Sequence, residues 1–350
     1  MFLAVGCLAL TACVGTPAQG VDAGPTQPTG SSGDAELLRL IRPSFLDDTD
    51  RVAVAVIEHG EVRTAFLDAD ETTVFEVGSI TKVFTGELLA EAVERGEVEV
   101  DDELGQYLEL GDAPAASATL RDLAAHLSGL PTFPEDPDWG AQVMADMERG
   151  GDGIDETLDE LLELTRATEL RAEPGFEYSN MGAALVGQAL AAAAGTDYPT
   201  LVAERLFEPL GLDGASVPLD DDEVDPRHAG GFTADGLSAE PTTLGAFAPA
   251  GGIHATIDDL VAFASAVIDG PLTGTAAQTD VLTDGGSEGI GYFWSVDDDG
   301  GHVILSHNGL TGGFASVLTI DRTAGTAAIV LANRGEIVDD VGATLFARLG

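Results

Sequence analysis

The sequence predicts a mixed α/β domain built on one antiparallel sheet to which both ends of the chain contribute. Three observations predict it. β-branched-rich runs flank a Gly60 turn near the start of the ordered region. A second group of short apolar runs fills the last third, from Gly291 to Leu331. Between them, from about residue 80 to 245, apolar residues recur at helical spacing, which reads as a mostly helical region inserted between the two halves of the sheet.

The elements follow in order. A short helix starts near Ala35 and uses Leu37, Leu38 and Ile41. Val52 to Glu58 and Val62 to Asp68 form a hairpin. Ser79 to about Arg95 is helical, with Val83, Phe84, Leu88, Leu89 and Val93 on one face and Gly96 closing its end. Thr119 to Leu127 is a second helix, stopped by Gly129 and Pro131. Phe133 to Gly153 is acidic and reads as a surface loop. Leu158, Leu161, Leu162 and Leu164 lie at helical spacing within Ile154 to Thr165. Asn180 to Ala194 is a small-residue helix, followed by Tyr198 to Leu206. Thr256 with Asp259 caps the helix that carries Leu260, Phe263 and Val267. Strands are expected at Gly291 to Val296, His302 to Ser306, Phe314 to Ile320 and Thr326 to Leu331, then a last helix from Val338 to Leu349.

Composition excludes several functions. Sixty-one Asp and Glu against fifteen Lys and Arg leave a formal charge of −46 over 350 residues. A chain so acidic is repelled by nucleic acid and by anionic membrane surfaces. Its charge describes solubility and environment rather than chemistry, and fits a salt-rich habitat or a GC-rich genome. Both cysteines, Cys7 and Cys13, lie in the first thirteen residues, so the rest of the chain has no thiol chemistry and no thiolate metal site.

That first segment reads as an export signal. Met1 to Ala12 is almost wholly apolar, and Leu10-Thr11-Ala12-Cys13 resembles a lipobox, which implies cleavage before Cys13 and its lipidation. About twelve apolar residues cannot span a bilayer of about 30 Å. Residues 14–34, rich in Gly, Pro, Thr and Ser, read as a flexible tether. The expected molecule is a lipid-anchored or secreted extracytoplasmic monomer, its domain covering 35–350.

The chemistry centres on Lys82, the one lysine in the chain. Ser79-Ile80-Thr81-Lys82 places a hydroxyl and an amine three residues apart at a helix start, about 5–6 Å apart at Cβ. A serine needs a neighbouring base to become a nucleophile. Arginine serves at every other basic position but cannot deprotonate, whereas lysine can. The plainer alternative is a solvated lysine in a first turn. Tyr178-Ser179-Asn180 opens another helix, and a phenol beside a cation can relay a proton. His307-Asn308-Gly309 ends a strand, where glycine admits a substrate to the backbone. Each of these two, taken singly, would also suit an ordinary helix start or turn.

Ser-x-x-Lys, Tyr-x-Asn and His-x-Gly in this order resemble the serine β-lactamase and penicillin-binding-protein superfamily, nearest its class C-like branch of esterases and D-alanyl peptidases. Thr119-Leu120-Arg121-Asp122-Leu123, His126 to Pro131 and Ala250-Gly251-Gly252 are similar to it too. The resemblance implies a β-lactamase-like fold and an acyl-serine mechanism without metal or cofactor. It makes Ser79 the nucleophile, with Lys82 and Tyr178 sharing its proton. Asn180, His307, Gly309 and Leu310 would bind substrate, and the N–H groups of Ser79 and Leu310 would form the oxyanion hole. His307 stands where many members carry the lysine of Lys-Thr-Gly, a departure common among the family's esterases and peptidases. The implied substrate is a β-lactam, a D-alanyl cell-wall peptide or a small ester.

Rival readings are weaker. Gly285-Gly286-Ser287-Glu288-Gly289 fits a nucleophile elbow, which requires a helix after it, whereas Ile290 onward reads as a strand. A phosphate loop is excluded because Thr81, not a glycine, directly precedes the lysine, and His126 reads as structural. A non-catalytic binding protein of the same fold would tolerate the loss of one motif, but all three are present.

Overall fold

The run Val-Ala-Val-Ala-Val-Ile-Glu forms strand β2 (Val52–Glu58), and Glu61–Leu67 returns as β3. Six of the seven β2 residues are buried, because the strand is covered on both faces. Successive side chains serve opposite layers. Ala53, Ala55 and Ile57 join the large core beneath the sheet, whereas Val52, Val54 and Val56 pack with a smaller cluster on the other face.

The computed structural model describes residues 30–349 except 148–149, 152, 172–174 and 284–287. The expected signal segment, the lipidation site Cys13 and residues 285–287 of the rival elbow lie outside these. Among the described residues the main sheet has nine strands, all antiparallel, in the order β1-β3-β2-β13-β12-β11-β10-β9-β8. Its further members are β1 (Ser31–Gly33), β8 (Leu282–Thr283), β9 (Glu288–Ile290), β10 (Ser295–Asp299), β11 (His302–Leu310), β12 (Ala315–Asp321) and β13 (Thr326–Ala332). Both ends of the chain therefore meet in the sheet, where β2 pairs with β13. Two small ladders complete the strands: β4 (Phe75–Glu76) with β7 (His254–Ala255), and β5 (Gly231–Phe232) with β6 (Ser238–Ala239).

The helices are α1 (Ala35–Ile41), α2 (Thr81–Glu94), α3 (Leu120–Ala124), α4 (Pro137–Met147), α5 (Leu158–Ala167) and α6 (Asn180–Ala194). Then come α7 (Tyr198–Val202), α8 (Glu208–Leu210), α9 (Ala248–Gly251), α10 (Ile257–Asp269), α11 (Ala276–Thr279) and α12 (Asp339–Phe346). Helices α1 and α12 cover one face of the sheet, and α10 packs on β2 and β13 from the other. The expected cap of α10 is present, with the Thr256 hydroxyl and Asp259 carboxylate bonded reciprocally to each other's backbone N–H.

Four expectations change. Ser31–Gly33, placed by the sequence in the tether, pair with the edge of β3. Residues 133–153 are not all loop: Asp136 accepts hydrogen bonds from the N–H groups of Asp138 and Trp139, and Pro137 begins α4. Helix α2 was expected to bury one face, yet Thr81 to Leu89 are all buried, which makes it the central helix. The strand expected from Gly291 starts at Ser295. Gly291 to Trp294 turn instead, with Gly291 N bonded to Trp294 O and Phe293 at φ 62°.

Candidate active site

The segment before α2 sets the site. From Val74 to Ala90 every residue is buried except Ser79. Ser79 lies in a tight 3-10 turn, Gly78–Ile80, between β4 and α2. Gly78 has φ 51°, and a Cβ there would come within 2.8 Å of Leu310 N. A Cβ on Gly309 would lie 3.0 Å from Ser79 N. These two glycines therefore let the end of β11 lie directly against the turn. Ser316 Oγ, across the ladder from Gly309, fixes that approach by donating to Val77 O at 2.7 Å.

The register directs a donor into the gap. Thr311 N bonds Phe314 O, so alternation makes 310 and 315 a non-hydrogen-bonded pair and turns Leu310 N–H away from β12. Strand β10 pairs with β11 only as far as Ser306. Leu310 N–H thus faces the turn, where Ser79 N–H lies in a first turn without an intrahelical acceptor. Two backbone donors converge on the region beside Ser79 Oγ, the arrangement that holds a developing oxyanion.

Lys82 is fully buried in the first turn of α2. Its Nζ donates to Ala250 O on α9 at 2.5 Å and to Ser79 Oγ at 3.0 Å, and sits 5.0 Å from the centre of the Tyr178 ring. Tyr178 is held by its neighbours on both sides. Its carbonyl accepts from Thr132 Oγ1 at 2.8 Å, and Ser179 caps α6 through Gly182 N at 2.8 Å. Asn180 is the first residue of α6, its N–H bonded to Thr132 O at 3.0 Å. His307 shares a face of β11 with Gly309, its ring 6.4 Å from that of Tyr178. Ser79, Lys82, Tyr178 and His307 therefore meet in one place although 228 residues separate the first from the last.

Sequence reading made His126 structural, and the structure adds a place beside the site. Its ring lies 4.7 Å from that of Tyr178, and its Nδ1 accepts from Ser179 N at 3.1 Å. Both imidazoles are held neutral. Desolvation, then the Lys82 ammonium, pulls the His307 pKa down to about 3, with the bond to Asn308 O opposing. Desolvation, Lys82 and His307 together hold His126 well below the usual histidine range. A cleft of about 220 Å³ opens here, walled by His126, Phe176, Tyr178, Phe293 and His307, and continues toward Phe346 on α12. Its wall includes Tyr178 and His307 but not Ser79.

Among the described residues one group could hold a metal: Glu76, His228 and His254, each with a donor atom within 4.8 Å of the others. Glu76 already accepts from Thr242 N, His228 Nε2 and Thr311 Oγ1. His254 Nδ1 is buried without a partner. Of the rival elbow, Glu288 to Ile290 form a strand where a helix was required.

A family description, Beta-lactamase, matches residues 45–349. The chain belongs to the Beta-lactamase family. Its fold is that of a class C β-lactamase, with a TM-score of 0.75, 19% identity, and coverage of 90% of this chain and 95% of that one. Penicillin-binding protein 4 of Amycolatopsis lactamdurans is 25% identical over 318 residues, covering 83% of this chain and 79% of that protein. Beta-lactamase-like protein 2 of Dictyostelium discoideum is 31% identical over 154 residues, 41% of this chain. The match spans 26% of that protein's length and 40% of a human β-lactamase-like relative's. Among the described residues no helix is long and apolar enough to cross a membrane.

Proposed function

We propose that the chain is an extracytoplasmic serine hydrolase that forms an acyl-Ser79 intermediate on small esters, or on amides that carry no carboxylate near the scissile bond. The observation that carries this reading is the bond from buried Lys82 Nζ to Ser79 Oγ beside the converging N–H groups of Ser79 and Leu310. Lys82 and Tyr178 share the serine proton as Ser79 Oγ attacks the carbonyl carbon. The two N–H groups hold the resulting oxyanion. The same proton then passes to the departing alcohol or amine, and water repeats the sequence on the acyl-serine.

His307 supports the ester preference. A β-lactam and a C-terminal D-alanyl peptide both present a carboxylate, for which a cation is the natural partner. A His307 held near pKa 3 offers none at neutral pH. The test compares a short-chain nitrophenyl ester, a D-alanyl-D-alanine peptide and a fluorescent penicillin, with wild type and His307→Lys. Wild type is expected to turn over the ester fastest, and the variant to gain on the two carboxylates. Faster wild-type turnover of either carboxylate substrate overturns the preference. Binding without turnover, unaltered in Ser79→Ala, would instead mark a non-catalytic binding protein. An export signal with lipidated Cys13 would place the domain outside the cell.

A further inference from the structure

We propose that Glu76 is a positioning residue for the oxyanion-binding N–H groups, acting through Thr311. The proposal rests on Ser79 being the nucleophile. Glu76 lies three residues before Ser79, and Thr311 directly follows Leu310. Glu76 Oε2 accepts from Thr311 Oγ1 at 2.5 Å, so one hydrogen bond ties the segment that delivers the first donor to the segment that delivers the second. Thr311 Oγ1 also accepts from Phe314 N at 3.1 Å, which fixes the turn beyond β11 to the same point.

The carboxylate is itself held rigidly. Its Oε1 accepts from Thr242 N at 2.9 Å and from His228 Nε2 at 3.2 Å. His228 Nδ1 accepts from Gly230 N at 3.3 Å, which leaves the ring proton on Nε2, facing Glu76. His254 pairs with Glu76 in the β4–β7 ladder, stacks on His228 at 5.3 Å, and bonds Thr242 O through Nε2 at 3.0 Å. Burial alone would push the Glu76 carboxyl up. The hydrogen bond from His228, the nearby His254 and the bonds from Thr311 and Thr242 reverse this and keep it ionised. A charged acceptor strengthens each of these bonds. Glu76 is only 1% exposed and has no route to a substrate. Its effect on the reaction runs through the placement of Leu310 N–H.

The test compares Thr311→Val, which removes the hydroxyl at similar volume, with Thr311→Ser, which keeps it, and with Glu76→Gln. Nitrophenyl-ester turnover gives kcat and KM. Affinity for an alkyl boronic acid reads the oxyanion hole, because its tetrahedral serine adduct places an oxygen there. Melting temperature reads the fold. Thr311→Val is expected to lower kcat about tenfold and boronate affinity by the same factor, with KM within about twofold, since small displacements at the reacting centre act on the transition state. Thr311→Ser should recover most of both, and Glu76→Gln should shift both in the direction of Thr311→Val. Should Glu76→Gln fail to fold, the two Thr311 variants decide alone. A Thr311→Val protein that melts lower yet keeps wild-type kcat and boronate affinity overturns the proposal and leaves Glu76 as a stabilising group only. Wild type that neither turns over the ester nor binds the boronate sinks the hydrolase reading, and this proposal with it.

Discussion

Gly309→Ala tests the geometry of the site with one methyl group. The added Cβ would press into Val77 O, lie 2.5 Å from Ser316 Oγ and stand 3.0 Å from Ser79 N. An unstrained contact needs about 3.5 Å, so β11 must retreat from the Gly78–Ile80 turn by at least about 1 Å. That carries Leu310 N–H out of hydrogen-bond range of an oxygen held by Ser79 N–H. A misplacement of this size, or the loss of one oxyanion donor, costs about 10²-fold in rate, or ~2.7 kcal/mol. The assay is steady-state ester hydrolysis beside a thermal melt. The expected result is kcat down about 10²-fold with KM little changed, because the donor acts on the tetrahedral intermediate more than on the bound ester. A folded Gly309→Ala protein with kcat within threefold of wild type refutes the claim that the close approach of β11 builds the oxyanion site.

Further predictions concern the charged and titrating groups. Lys82→Arg keeps a cation but cannot take a proton, so ester kcat should fall at least about 10³-fold in a stopped assay, while a fluorescence melt still shows a folded chain. His307 and His126 both have folded pKa values below the unfolded value of about 6.5, so the unfolded chain binds protons that the folded chain refuses. Their contribution to stability is complete above that pH. For His307 it is lost as pH falls from about 6.5 toward 3, and for His126 as pH falls below about 6.5, by at most about 1.4 kcal/mol per pH unit for each ring. Urea melts from pH 7 to pH 4 should show this slope, and His307→Asn should flatten it.

Local signals carried much of the fold. The β2–β3 hairpin, α6 and the capped α10 were legible because a turn glycine, a small-residue helix and a Thr-Asp pair act within a few residues. The Ser79–Lys82 contact was legible for the same reason, since three residues is one helical turn. Helix α4 was misread because acidic composition outweighed the start signal Asp136-Pro137 that was present in the sequence. Tyr292, Phe293 and Trp294 suited a strand by type but serve as buried plugs. Phe293 N bonds Ala124 O and the Trp294 indole bonds Glu87. That choice depends on partners over 160 residues away, which periodicity does not register. Tyr178 and His307 were found through the order of their motifs rather than through physics. The Glu76–Thr311 link left no trace, because a buried carboxylate and a hydroxyl 235 residues apart share no pattern.

The most direct measurement is peptide mapping by mass spectrometry after rapid acid quench of the protein with a slowly deacylating ester. One acyl group is expected, on the peptide that contains Ser79 and absent from Ser79→Ala. An adduct on another residue, or ester turnover that persists in Ser79→Ala, would contradict it.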